Sequence, residues 1–149
     1  MKAKTLLILE ELKTYFTNNL NNAIQSYNLE NNTNLQLINS ISYTNVTSQL
    51  PELFFTIDRT DFEYSNITKN ESYTTINNCV LSLACRNNTT EFEADMEGYI
   101  EIIINLLMNY YSENINNLII SSVERGEMQD KNIQTIKIFV LQFKIYSYI

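Results

Sequence analysis

The spacing of apolar residues constrains the fold of this chain most, because its period changes along the sequence. From about residue 4 to 27, apolar side chains recur at steps of three and four, which predicts a helix with one buried face. Later segments alternate apolar and polar residues at steps of two, which predicts strands. The 149 residues contain no internal repeat and no linker, so we expect a single α+β domain over residues 1–149. The helical stripe comprises Leu6, Leu9, Leu12, Phe16, Leu20, Ile24 and Tyr27.

Three segments in the first half of the chain predict strands. Residues 35–43 alternate as a half-buried strand does, and residues 72–86 are long enough for a bent or bulged strand. Residues 53–59 follow Pro51, the only proline, which has no N–H to donate to a sheet and favours extended geometry in the residue before it. Pro51 therefore suits the start of a strand. Residues 60–70 are expected to form a long hairpin connection.

A second amphipathic helix is predicted over residues 90–111. Thr90 followed by Glu93 forms a capping box at its start. The later half of this helix carries more apolar residues than one contact with a sheet requires. Its expected core stripe is Phe92, Met96, Tyr99, Ile100, Ile103, Leu107 and Tyr110, and the additional apolar residues are Ile102, Ile104, Met108 and Tyr111.

The last two strands are predicted over residues 117–128, which run into a turn at Gly126, and over residues 132–149. The final strand is apolar on both faces, which is typical of a central strand or of one covered by another subunit. The expected order is α-β-β-β(β)-α-β-β, with a mixed, mainly antiparallel sheet. The two apolar faces are Ile136, Ile138 and Val140, against Phe139, Leu141, Phe143 and Ile145.

The charge of the chain argues against tight binding of nucleic acid. The formal net charge is −7, and arginine occurs only at Arg59, Arg86 and Arg125, so a surface built to hold phosphate is not expected. No apolar run approaches the roughly 20 residues that span a bilayer, so no membrane partner is expected. Glu10 and Glu11 interrupt the N-terminal apolar run before it reaches the length of an export signal.

The sequence offers little for catalysis. It contains no histidine, and its two glycines lie in no phosphate-binding motif. Glu93, Glu97 and Glu101 share one helical face and are the best candidates for a carboxylate mechanism or for Mg²⁺ ligands, although such a stripe is ordinarily a solvated surface. Cys79 and Cys85 point to the same face of one strand, too far apart for a disulfide, and are expected to be buried thiols. We therefore expect no catalytic residues, no metal site and no cofactor.

Several segments, taken in order, resemble the tail terminator proteins of long-tailed phages, in particular the small terminators of contractile-tailed phages and tail-like particles of low-GC Gram-positive bacteria. The resemblance covers nearly the whole chain. It rests on the first helix and on the segments "LPELFFTIDRT", "ESYTTINNCVLSL", "TTEFEADMEGYIEIIINLL" and "IQTIKIFVLQFKIY".

The resemblance implies a structural protein of the virion tail, assembled in the host cytoplasm. In that family a hexameric ring of the protein caps the tail tube, ends its polymerisation and presents a docking surface for the head or neck. The implied partners are other copies of the chain, the tail tube protein, and sheath and neck proteins, with DNA as a passing, non-specific cargo. Alternatives are a neck, tail-completion or other head–tail connector protein, a small carboxylate-dependent enzyme, or a monomeric binding module.

A ring requires two different adhesive surfaces on each subunit. The broad apolar arc of the second helix and the outer face of the last strand are the candidates, and the acidic hairpin around residues 61–71 is the candidate for contact with the tube or lumen. The subunit-interface candidates are Ile104, Met108, Tyr111, Ile136, Ile138 and Val140, and the hairpin candidates are Asp61, Glu63 and Glu71.

Overall fold

The structure is a computed structural model, and the residues that it describes are 4–43, 50–65, 72–86, 92–129 and 135–148. Within these residues two helices pack on one face of a five-stranded sheet. Neither helix has a stretch that is both long enough and apolar enough to cross a membrane.

The order of elements confirms the predicted α-β-β-β-α-β-β arrangement. The strand after Pro51 begins at Glu52, as the position of the proline predicts. The elements are α1 (Lys4–Asn31), β1 (Ser40–Ser42), β2 (Glu52–Ser65), β3 (Ser72–Arg86), α2 (Phe92–Met108), β4 (Asn117–Gln129) and β5 (Thr135–Tyr148).

The sheet has the strand order β1-β2-β3-β5-β4. β1 runs parallel to β2, and every other neighbouring pair is antiparallel, which confirms the mixed, mainly antiparallel sheet. β5 lies between β3 and β4, so the prediction of a central last strand is also confirmed.

The core lies between the helices and one face of the sheet. α1 contributes a buried stripe at steps of four, and its Phe16 ring lies 6.2 Å from the ring of Phe55 on β2. The predicted stripe differs at its start, because Ile8 is buried and Leu6 is exposed. The buried α1 residues are Ile8, Leu12, Phe16, Leu20 and Ile24.

The strand expected over residues 35–43 is wrong for most of its length, because only Ser40–Ser42 is a strand. Asparagine side chains of α1 form hydrogen bonds with backbone N–H and C=O groups that would otherwise pair with a neighbouring strand. The Asn28 side chain accepts from the Leu35 N–H at 2.8 Å and donates to the Leu35 carbonyl at 3.0 Å. The Asn21 side chain likewise accepts from the Ile38 N–H at 2.8 Å and donates to the Ile38 carbonyl at 3.2 Å. The segment therefore satisfies these backbone hydrogen bonds against the helix, and Leu35 and Ile38 are buried while Leu37 is 40% exposed.

Two further expectations need correction. Residues 60–65 continue β2 instead of forming a connection, because β2 and β3 pair as far as Ser65 and Ser72. Gly126 is not a turn residue, since it lies inside β4 and pairs with Ile138.

The irregularity expected in β3 lies instead in the strands beside the central pair. β2 shifts register between Ile57 and Arg59, and β4 shifts between Ile120 and Ser122. Both shifts flank the same row of the sheet, in which Cys79 of β3 pairs with Phe143 of β5. A bulge increases local twist and bends its strand, so the two register shifts favour a bend of the sheet at this row.

Candidate assembly surfaces

The outer face of the sheet is the face opposite the helices, and β5 runs along its middle. Side chains alternate along β5, so the buried Phe139, which faces the helices, is followed by Val140 on the outer face. Ile138 and Val140 are half-buried and accessible, as the interface prediction requires. Ile136 differs, because it is only 1% exposed and has no surface to offer a neighbour.

The exposed face of α2 is the second candidate surface. Met108 is 72% exposed and Tyr111, just beyond the helix, is 83% exposed, while Ile104 is half-buried against the core. Ile102, which the sequence placed with them, is buried. Three apolar side chains therefore lie at or near the surface around the end of α2.

Close contacts with α1 and with the segment that follows it determine which face of α2 turns toward the core. The Tyr99 hydroxyl donates to the Gln36 carbonyl at 2.7 Å. A Cβ at Gly98 would lie 3.1 Å from Leu35 Cδ1 and 3.2 Å from the Tyr27 ring, so this glycine permits the close approach. The rotation turns Met96 and Ile103 into the core and leaves the Met108 side of the helix outside.

The predicted carboxylate stripe does not assemble a site in the described residues. Glu97 and Glu101 are exposed, whereas the side chain of Glu93 lies outside the residues that the structure describes. Both carboxylate oxygens of Glu97 accept from Arg125 of β4, from Nε at 2.6 Å and from Nη2 at 2.9 Å. These hydrogen bonds lower the pKa of Glu97. Among the described residues no group of three histidine, cysteine, aspartate or glutamate side chains is placed to hold a metal ion.

A polar cluster around Glu11 joins α1 to the connection between α2 and β4. The Glu11 carboxylate accepts from the Ser112 hydroxyl, from Asn114 Nδ2 and from the Tyr110 hydroxyl. Burial, followed by the negative charge of Glu11, raises the pKa of Tyr110 to about 12. The cluster fixes the chain on both sides of Tyr111. The sequence alone gave no signal for it, because its members lie about 100 residues apart.

A cleft of about 600 Å³ lies beside this cluster. Glu10, Tyr15, Asn18 and Tyr111 are among its lining residues. Tyr15 is held in place by a 2.7 Å hydrogen bond from its hydroxyl to the Leu106 carbonyl. The exposed aromatic ring at the end of α2 therefore stands at the edge of a cleft.

The acidic hairpin is only partly within the described residues. Asp61 is half-buried, forms an ion pair with Arg59 at 3.2 Å and accepts from Asn78 at 3.0 Å. Glu63 is exposed, and Glu71 lies outside the described residues. Phe62, between the two described carboxylates, is 63% exposed, and nothing in the sequence pattern singled it out.

Comparison with known proteins gives one structural similarity to report. No protein-family model and no curated protein matches the sequence. Among solved structures, the chain is similar to a chain in a structure described as the virion of a native gene transfer agent particle. The two share 10% sequence identity at a TM-score of 0.47, over 72% of this chain and 78% of that chain.

Proposed function

We propose that this chain is a structural protein of a phage tail or tail-like particle that forms a ring on the end of the tail tube. The ring ends polymerisation of the tube and provides the surface on which the head or neck docks. The observation that carries the proposal is the presence of two different accessible apolar surfaces on opposite layers of one subunit. One is the end of α2 around Met108, and the other is the outer sheet face around Ile138 and Val140.

Two different surfaces on opposite layers favour head-to-tail association. A twofold dimer uses the same patch twice, whereas a ring uses one patch against a different patch of the next copy. When the helix layer of one subunit lies against the sheet layer of the next, the sheet layer of the first and the helix layer of the second stay free for further copies. Six copies related in this way form the ring that the resemblance to tail terminators implies.

The remaining surfaces are assigned by charge and reach. β2 and β3 stay paired from the register shift at Ile57 to Ser65 and Ser72, so their hairpin is the part of the subunit proposed to reach the tube or the lumen. Glu63 and the net charge of −7 favour a lumen that lets DNA pass without binding it. No cofactor takes part in this role.

Of two other functions, the geometry gives less support only to the enzyme. A carboxylate-dependent enzyme would need Glu97 free to act, and both of its oxygens are bound to Arg125. A neck or tail-completion protein would use the same two surfaces, and it differs from a terminator in binding elsewhere on the particle. The position on the tube is therefore what an experiment must determine.

Polymerisation of the cognate tube protein tests the proposal. Addition of this protein during polymerisation is expected to shorten the tubes, and Met108→Asp is expected to weaken the effect by placing a charge in the subunit contact. Asn109→Asp is the matched control, because it adds the same charge at an exposed neighbouring position. Tubes of unchanged length with the wild-type protein would defeat the assignment.

A further inference from the structure

Starting from the proposed ring, we infer which surfaces meet in it. We propose that the exposed face of α2 in one copy docks on the outer sheet face of a second copy. In this contact Glu101 lies against Lys144 and Met108 lies against Val140.

The outer face offers a half-buried apolar strip at its centre. Phe54 of β2 pairs with Ser82 of β3, which pairs with Val140 of β5, so these residues form one row across the sheet. The next row contains Val80 and Gln142. Phe54, Val80, Ile138 and Val140 all keep part of their surface accessible to solvent. A second copy is a suitable occupant because it also presents an accessible apolar surface, on its helix layer.

Charge complementarity supports the same pairing. Lys144 lies on the outer face two rows from Val140, and Glu101 is exposed on the Met108 side of α2. Within the part of the chain that the structure describes, neither side chain has an ion-pair partner in its own subunit. Arg59 lies in the same row of the sheet as Lys144, but the Arg59 guanidinium forms an ion pair with Asp61 of its own subunit. Lys144 therefore remains available to a carboxylate from a neighbour.

A cleft of about 400 Å³ opens beside Lys144, next to the two bulges. Val80 and Gln142 line it together with Lys144. The cleft provides room for a side chain of the neighbour between the charged and the apolar contacts.

The spacing along the two elements is compatible with simultaneous contact. Glu101 and Met108 are seven residues apart in a helix, which is about 10.5 Å at 1.5 Å per residue. Lys144 and Val140 are four residues apart in a strand, which is about 13 Å at 3.3 Å per residue. Side-chain length accommodates the difference, so α2 can lie along β5 of the next copy.

Cysteine cross-linking tests which surfaces meet. Met108→Cys protein and tagged Val140→Cys protein are mixed at high concentration with a short bismaleimide, and cross-links between the tagged and untagged chains are counted against those between identical chains. The native cysteines are both buried and should not react. We expect the 108–140 product to predominate. Predominance of the 108–108 or 140–140 product, or no product at all, would overturn the proposed contact.

Charge reversal tests the same contact through the pair that Glu101 and Lys144 would form. Lys144→Glu in the Val140→Cys chain should strongly reduce the 108–140 product, and Glu101→Lys in the Met108→Cys chain should restore it. Failure of the second change to restore what the first removes would also reject the pairing. Tube shortening without the 108–140 product would refute this contact and leave the terminator role standing. The product without tube shortening would support the contact and refute the role.

Discussion

Glu97 of α2 and Arg125 of β4 are joined by two parallel hydrogen bonds, at 2.6 and 2.9 Å. The pair connects the middle of a helix to an edge strand of the sheet and brings together residues 28 positions apart. Its two-point geometry fixes direction as well as distance, which is the particular property of arginine with a carboxylate. The carboxylate that the sequence marks as a catalytic candidate is therefore part of how α2 is positioned on the sheet.

Removal of the arginine should change the titration of its partner. Arg125→Gln is expected to raise the pKa of Glu97 toward its ordinary value, because the hydrogen bonds from Arg125 are the main cause of the lowered pKa. Titration of the side-chain carboxyl signals by NMR measures the change. Arg59→Gln, which removes an arginine from the hairpin, should leave the Glu97 titration unchanged.

The sign for stability follows from the lowered pKa. The contribution of Glu97 to the free energy of unfolding is fully present above the pKa that Glu97 has in the unfolded chain. This contribution is lost as the pH falls through the lower pKa that Glu97 has in the folded protein. Since both side chains are largely exposed, solvent screens the pair and the loss in stability should be small. A Glu97 titration unaltered by Arg125→Gln would contradict the account of this ion pair.

Consecutive residues of β5 should differ sharply in their contribution to stability. Phe139→Ala is expected to lower the free energy of unfolding by about 3–5 kcal/mol, because its ring is fully buried in the core. Val140→Ala removes a half-exposed side chain on the outer face and should cost less than about 1.5 kcal/mol. Urea unfolding of the monomeric protein measures both. A larger cost at Val140 would reverse the assignment of the two faces.

The cysteines should be unreactive in the folded protein. Burial raises the pKa of both Cys79 and Cys85 to about 12, so only about one thiol in ten thousand is ionised at pH 8. Labelling with a thiol reagent should therefore be very slow in the native state and complete for two thiols per chain after unfolding. Rapid labelling of the folded protein would show that the Cys79 face of β3 is accessible.

The Glu11 cluster should stabilise the connection between α2 and β4. Glu11→Ala is expected to cost about 1–3 kcal/mol, because Ser112 and Asn114 lose the acceptor for their donors. Glu113→Ala removes an exposed carboxylate from the same connection and is the matched control. Equal effects of the two substitutions on thermal unfolding would show that the cluster contributes little.

The sequence was sufficient to predict those helices and strands in which buried residues recur at a regular spacing. The two helices, the long strand Ser72–Arg86 and the central β5 all follow from alternating or helical spacing. Local period reports which face is buried, and in this chain one core buries one face of nearly every element.

Features that depend on partners distant in sequence could not be predicted. The segment around Leu35 has the alternation of a strand, but asparagine side chains of α1 take its backbone hydrogen bonds. The glycine at position 126 suggested a turn, but Gly126 lies inside β4. A Cβ added there would meet no atom within 4 Å, so the packing does not require glycine at this position. Arg125 and the Glu11 cluster likewise become visible only once the fold brings residues together. The excess of apolar residues on α2 and β5 predicts the two candidate surfaces. Ile136 no longer belongs to the outer-face candidates, because it is buried.

Images of tube ends test the central claim most directly. Tubes polymerised with the wild-type protein should carry one sixfold ring of this chain at one end in cryo-electron micrographs, with α2 of each copy toward the sheet of the next. Fewer of the tubes formed with Met108→Asp should carry the ring, and tubes formed with Asn109→Asp should carry it as often as with the wild-type protein. Bare tube ends with the wild-type protein left in solution, or protein bound along the tube walls instead of at one end, would contradict the account.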